Sequence, residues 1–246
     1  MRKIDILILF FIINSNLLAV NRIDFNFFVH PRFQTEYYDE INFSIFQATQ
    51  NDSISQYNIF AGKILNRRDD DSTTVHFLNS VNCDFACPTD YYFSQIDFNP
   101  RFDIIAANIS HNFHFLKSNK IINADSFRVG IFSIYTPDFT VRNDIDSAVT
   151  LDFDIQSVIQ REVKSLSKQT DVIIMFSNLS KYIDKDLVKD TEIDAVISFD
   201  YQKKKNKTFW NRTEFFSLLS SDKKFGKLRL TYESGNIELE WLTKGF

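Results

Sequence analysis

The chain has 246 residues, 44% hydrophobic and 24% charged, an ordinary globular balance with enough length for one sizeable core. Lys and Arg number 28 against 32 Asp and Glu, a net charge of −4, so the basic excess that phosphate-backbone binding requires is absent and no nucleic-acid partner is expected. Phe is abundant at 27 and Gly scarce at 5, a bias with no function attached to it.

The N-terminus, MRKIDILILFFIINSNLLAV, has a basic start, an apolar run from Ile6 to Ile13 and a small residue at Ala19. That run is too short to cross a bilayer, which takes about 20 residues, but it suits the core of a secretory signal. Residues 1–19 therefore read as a signal peptide cleaved on export, to the periplasm or outside the cell, with no transmembrane segment left afterwards. No cysteine flanks the cleavage point to carry a lipid anchor.

Strand-like runs follow at 23–29, 41–48, 73–78, 102–109, 127–135, 171–177, 194–199 and 207–210. Several are continuously apolar, as strands buried on both faces of an α/β fold are. Ile159, Val163 and Leu166 lie at i, i+4 and i+7, one apolar face of a helix, with Asp152 or Asp154 as its cap. FGKLRLTYESGNIELEWL near the C-terminus reads as a β-hairpin turning at 233–236. No linker or repeat interrupts residues 20–246, which implies a single domain.

Cys83 and Cys87 are the two cysteines. Their spacing leaves a local disulfide and two buried thiols both open, and without a second cysteine pair it does not support zinc. His111 and His114 lack the further ligands that would make a metal site, and neither a G-x-S-x-G elbow nor a phosphate-binding loop is present. Tyr37-Tyr38, Tyr91-Tyr92, Phe209-Trp210 and Phe215-Phe216 are aromatic pairs that suit either core or a contact patch.

FRVGIFSIYTPD, FDIIAANI, QTDVIIMFSNLS, EIDAVISFDYQ and FGKLRLTYESGNIE, in that order, resemble successive segments of the calcineurin-like metallophosphatase domain of the 5′-nucleotidase family. The resemblance implies an α/β fold, a four-layer αββα sandwich. It also implies a two-metal phosphoesterase site on the loops after the strands.

At those loops this sequence departs from the family pattern. D-x-H after the first strand becomes His30-Pro31-Arg32, and the carboxylate and glutamine of G-D-x-x-Q-G-S align near Phe46 and Gln47. G-N-H-E aligns with Ser80 and Val81, with Asp84 as a supporting residue. The S-H-L-G histidine becomes Asn178, and G-H-T-H becomes Phe199-Asp200-Tyr201-Gln202. Two dications about 4 Å apart need carboxylates and neutral imidazoles around them, and a guanidinium cannot deprotonate to join them. The glycines at 62, 130, 226, 235 and 245 all align away from the ligand loops.

No metal, no cofactor and no catalysis are therefore expected. The resemblance points to an exported pseudoenzyme that holds another protein of the cell envelope or extracellular space, and with the closing hairpin so near Phe246 the family's C-terminal domain is not expected. Two alternatives stand beside it. One is a diverged metal-dependent phosphoesterase; the other is a non-hydrolytic anion or nucleotide binder using Arg32 with Lys203, Lys204 and Lys205. Six N-x-[ST] sequons start at Asn42, Asn51, Asn108, Asn178, Asn206 and Asn211 and matter only in a eukaryotic secretory route.

Overall fold

Ile23, Phe25 and Phe27 alternate with Asp24 and Asn26, and period-two alternation puts the two sets on opposite faces of a strand. In a computed structural model of the chain this segment is β1 (Asn21–His30). The structure describes residues 21–30, 54–63, 71–90, 100–111, 114–124, 127–135, 149–198, 207–217, 225–233 and 236–242. The expected strand at 41–48 lies outside them.

The strand beside β1 is β2 (Ser55–Lys63), parallel to it, followed by β3 (Phe85–Asp90), β4 (Asp103–Ile105) and the short β6 (Leu116–Lys117), all parallel. On the other side β14 (Phe225–Glu233) and β15 (Asn236–Leu242) add antiparallel, which is the expected C-terminal hairpin. The sheet order is β15-β14-β1-β2-β3-β4-β6.

A parallel pair needs a crossover, usually a helix, and between β2 and β3 that crossover is α1 (Asp71–Ser80). This corrects the strand expected at 73–78: the β-branched and aromatic residues of TTVHFL sit in a helix because the topology demands one. Val75, Phe77 and Leu78 are buried along this helix.

The second sheet runs β12-β13-β11-β10-β8-β7. It comprises β7 (Asn119–Asn123), β8 (Arg128–Ile134), β10 (Val172–Ser177), β11 (Ala195–Ser198), β12 (Lys207–Trp210) and β13 (Thr213–Ser217). β8, β10, β11 and β13 are parallel. The expected 102–109 strand splits into β4 and β5 (Ile109–His111), the latter paired with β9 (Val149–Leu151).

The helix expected around Ile159 is α2 (Ile155–Leu166), capped by Asp154, which accepts from the Ser157 amide and hydroxyl. Its buried face packs with α3 (Lys181–Val188) on the outer side of the second sheet. α2 crosses β8 at Gly130, where a Cβ would lie 3.0 Å from a Leu166 methyl carbon.

Between the two sheets lies the main core, with Phe25, Phe27, Phe85, Phe127 and Phe176 at or near zero exposure. Each such ring contributes about 1.5–3 kcal/mol through burial. Two sheets enclose this core, α2 and α3 cover the second, and α1 is the crossover of the first, which fits the expected αββα order.

Aspartates fix the register at the amino ends of three parallel strands. Asp84, Asp171 and Asp194 each directly precede a strand (β3, β10 and β11), and each accepts a backbone N–H of the neighbouring strand: Asn58 at 2.6 Å, Arg128 at 2.8 Å and Ile173 at 2.8 Å. Each also returns its own N–H to the same residue's carbonyl. Backbone groups at the fraying end of a sheet thereby keep partners.

Candidate functional site

Open parallel sheets present ligands at the carboxyl ends of their strands. Here those ends of both sheets fall on one side of the molecule. Asn108, following β4, receives the Tyr135 N–H at 2.9 Å and donates to the Tyr135 carbonyl at 2.6 Å, and Tyr135 directly follows β8. The Ala107 N–H also bonds the Ser133 carbonyl at 2.8 Å. Asn108 is 1% exposed, and its amide substitutes for a strand partner where β4 stops pairing. That use of both amide atoms closes Asn108 to glycosylation.

Along this edge the first sheet aligns His30 with Gly62 and Gly62 with Pro88, and beyond a local shift in register it aligns Lys63 with Asp90. The edge thus carries, by position, an imidazole residue on β1, glycine and lysine on β2 and a carboxylate residue on β3. The second sheet contributes Asn178, half-buried directly after β10, and Ser198 at the end of β11.

These positions revise several sequence expectations. Ser80 ends α1, its hydroxyl donating to the Phe77 carbonyl at 2.7 Å, and Val81 is buried in the turn after it. Both precede the amino end of β3, so neither reaches the edge; the strand they were aligned to ends ten residues later, at Asp90. Asp84 likewise lies at the amino end, where burial pushes its carboxyl above the ordinary range while the Asn58 hydrogen bond and Lys120 oppose the shift.

Gln47 lies outside the described residues, and the strand pairing with β1 ends instead at Gly62 and Lys63. Gly62 is therefore a glycine at the edge, contrary to the expectation that all five stand away from it. Arg32, Asp200, Gln202, Lys203, Lys204 and Lys205 also lie outside the described residues. His30 and Asn178 fall at the edge as aligned.

Cys83 and Cys87 are both buried and unbridged, so the disulfide alternative gives way to two thiols. Extended backbone rises about 3.3 Å per residue, carrying residues four apart past the roughly 7 Å that a bridge tolerates between Cα atoms. Cys83 donates to the Phe85 carbonyl at 3.3 Å, and burial raises both thiols far above their ordinary values, so neither presents a thiolate. His114 is exposed and packs edge-on to Phe115. Among the described residues no group of three or more His, Cys, Asp or Glu is placed to hold a metal ion.

Sequence reasoning missed Lys63, Asp90 and Asn108. The signal for the first was available: Tyr57, Ile59 and Ala61 alternate with Gln56, Asn58 and Phe60 up to Gly62, a half-buried strand with a glycine at its end.

The two stacked sheets, the helix layers and an edge where both sheets' carboxyl ends meet define an α/β sandwich of the metallophosphatase type found in 5′-nucleotidases. No protein-family description matches the chain, and no curated protein matches it. Solved structures do. NAD nucleotidase of Haemophilus influenzae superposes with a TM-score of 0.73 at 12% identity, over 91% of this chain and 49% of that one. The 5′-nucleotidase precursor of Thermus thermophilus gives 0.66 at 13% identity, over 90% and 54%. The sulfate thiohydrolase SoxB of Thermus thermophilus gives 0.64 at 10%, over 89% and 56%. The chain spans about half the length of these proteins. At such identities the likeness establishes the fold, and chemistry has to be argued from the site.

Proposed function

We propose that this chain is an exported protein with a 5′-nucleotidase-like metallophosphatase scaffold that has lost catalysis and serves as a platform for contacts with another protein of the envelope or extracellular space. The observation that carries the proposal is the backbone register placing Lys63 opposite Asp90. Two dications held within about 4 Å require several carboxylates converging on them. A lysine at the register position on the next strand supplies a cation in place of a ligand, since an ammonium has no lone pair to give a metal.

Among the described residues these strand ends carry His30, Lys63, Asp90 and Asn178, a donor set that does not fit a two-metal centre, and no hydrolytic step is assigned to it. The export reading rests on the N-terminal signal pattern; among the described residues no helix is long and apolar enough to cross a membrane.

The direct assay is hydrolysis of nucleoside monophosphates and bis(4-nitrophenyl) phosphate by the purified chain with added Mn²⁺. The proposal expects background rates, unchanged in Asp90→Ala. Turnover that Asp90→Ala abolishes would establish an enzyme and end the pseudoenzyme reading. A second reading, anion binding without hydrolysis, draws on His30 and Lys63 standing beside Gly62, with Arg32 as the further cation. It predicts salt-sensitive phosphate binding that Lys63→Glu removes.

A further inference from the structure

Four large hydrophobic side chains are exposed among the described residues: Phe153 at 67%, Tyr182 at 81%, Ile183 at 49% and Trp210 at 45%. Tyr182 and Ile183 open α3, and Trp210 closes β12 in the hairpin beside it. Arg212 donates to the Thr191 carbonyl at 2.9 Å and Asn211 to the Lys189 carbonyl at 3.5 Å, which holds the hairpin turn against the end of α3. Lys185 places its ammonium 4.3 Å from the centre of the Trp210 ring. Residues three apart on a helix are surface neighbours, so Tyr182, Lys185 and Trp210 form a row of ring, cation and ring.

Charge on this corner is segregated. Lys181, Lys185 and Lys189 recur at four-residue spacing down one side of α3, while Asp186 and Asp190 run down the far side of Tyr182. Like charges one turn apart repel, and Lys181 is held below the ordinary lysine range by burial and then by Lys185. Among the described residues none of the three lysines enters an ion pair. A chain of net charge −4 thus carries a strip of three lysines with no ion pair among the described residues, beside two of the residue types that dominate protein-contact hot spots.

We propose that Tyr182, Lys185 and Trp210, with Lys181 and Lys189 alongside, form the docking surface for an acidic segment of a partner protein. The segment lays carboxylates along the lysine strip and an apolar side chain against the rings. The Lys185 contact fixes the Trp210 ring before the partner arrives, which lowers the ordering cost of binding. Asp186 and Asp190 repel a second row of carboxylates, so the strip accepts one acidic strand and disfavours a broad polyanion. This inference rests on the protein-contact part of the function proposed above and is independent of whether the strand edge binds metal.

The test uses a synthetic peptide of about ten alternating glutamates and leucines, titrated calorimetrically into the whole chain. Saturable binding is expected, weakened at least about tenfold by Lys185→Glu and separately by Tyr182→Ala, two surface changes that leave the unfolding midpoint in place. The same peptide with glutamine for glutamate should not bind. Absence of saturation up to about 1 mM, or equal affinity in the variants, overturns the proposal. So does binding to phosphatidylglycerol vesicles in preference to the peptide, which would assign the strip to a lipid surface. A chain that binds neither peptide nor metal loses this surface and keeps the inactivity proposal; one that binds both does the reverse.

Discussion

At the amino ends of β3, β10 and β11 the same device recurs, an aspartate before the strand whose carboxylate and amide both pair with the neighbouring strand. At the carboxyl ends no such device recurs among the described residues: a histidine, a glycine-lysine pair, an aspartate and an asparagine stand one to a strand, and the buried Asn108 amide, beside the Ala107–Ser133 backbone bond, ties the two sheets together. The two ends teach different things. Repetition at the amino ends is what holding a register needs. Heterogeneity at the carboxyl ends shows positions whose chemistry the fold does not dictate, which is where function, or its loss, can be written.

The largest expected effect falls on the Asn108 tie at the carboxyl edge. Asn108→Ala removes the buried hydrogen bonds to the Tyr135 N–H and C=O and should cost about 2–4 kcal/mol in urea unfolding. A change below about 0.5 kcal/mol would mean that the Ala107–Ser133 bond and packing join the sheets there without it. Asp194→Ala should cost about 1–3 kcal/mol by orphaning the Ile173 amide, whereas Asp194→Asn, which keeps an acceptor, should recover most of it. If both variants behave alike, the amino-end device is incidental.

The pH dependence separates Asp194 from Asp24. Burial raises the Asp194 carboxyl above its ordinary 3.8, so the folded chain holds that proton to higher pH than the unfolded chain. Its contribution to stability then falls as pH rises from about 3.8 through the raised value. For Asp24, burial pushes upward, but hydrogen bonds and charge from Arg229 and Lys227 win, and its carboxyl lies below 3.8. The folded chain therefore releases that proton first, and the contribution of Asp24 is lost as pH falls through the folded value. Asp24→Asn should flatten the acid limb of a stability-against-pH curve, and Asp194→Asn should remove the opposing slope. The smallest effect belongs to Lys63→Ala, expected within about 0.5 kcal/mol of the parent; a large loss would make Lys63 a structural partner of the edge and break the contrast.

Much of the second sheet was legible from sequence because β8, β10 and β11 are continuous apolar runs, and α2 announces itself by spacing and by Asp154 before it. The first sheet was read less well. β2 alternates polar and apolar residues with its outward Asn58 bonded to its neighbours, so it lacks the apolar run that marks the others, and α1 is built from residues that favour strands. Those two readings displaced the aligned site: Ser80 and Val81 stand before β3, whereas Gly62, Lys63 and Asp90 stand at the strand ends. The proposal that this edge departs from a two-metal pattern is carried by the register of β1, β2 and β3. Asn108 was invisible because its role depends on Tyr135, which the sequence separates from it by 27 positions.

The central claim is that this strand edge no longer holds a two-metal centre, and its most direct test is metal content of the purified chain by elemental analysis, followed by calorimetric titration with Mn²⁺ and Zn²⁺ at neutral pH. The account predicts less than stoichiometric metal and no saturable heat, in the parent and in Asp90→Ala alike. Two tightly bound metals per chain, lost in Asp90→Ala, would contradict it.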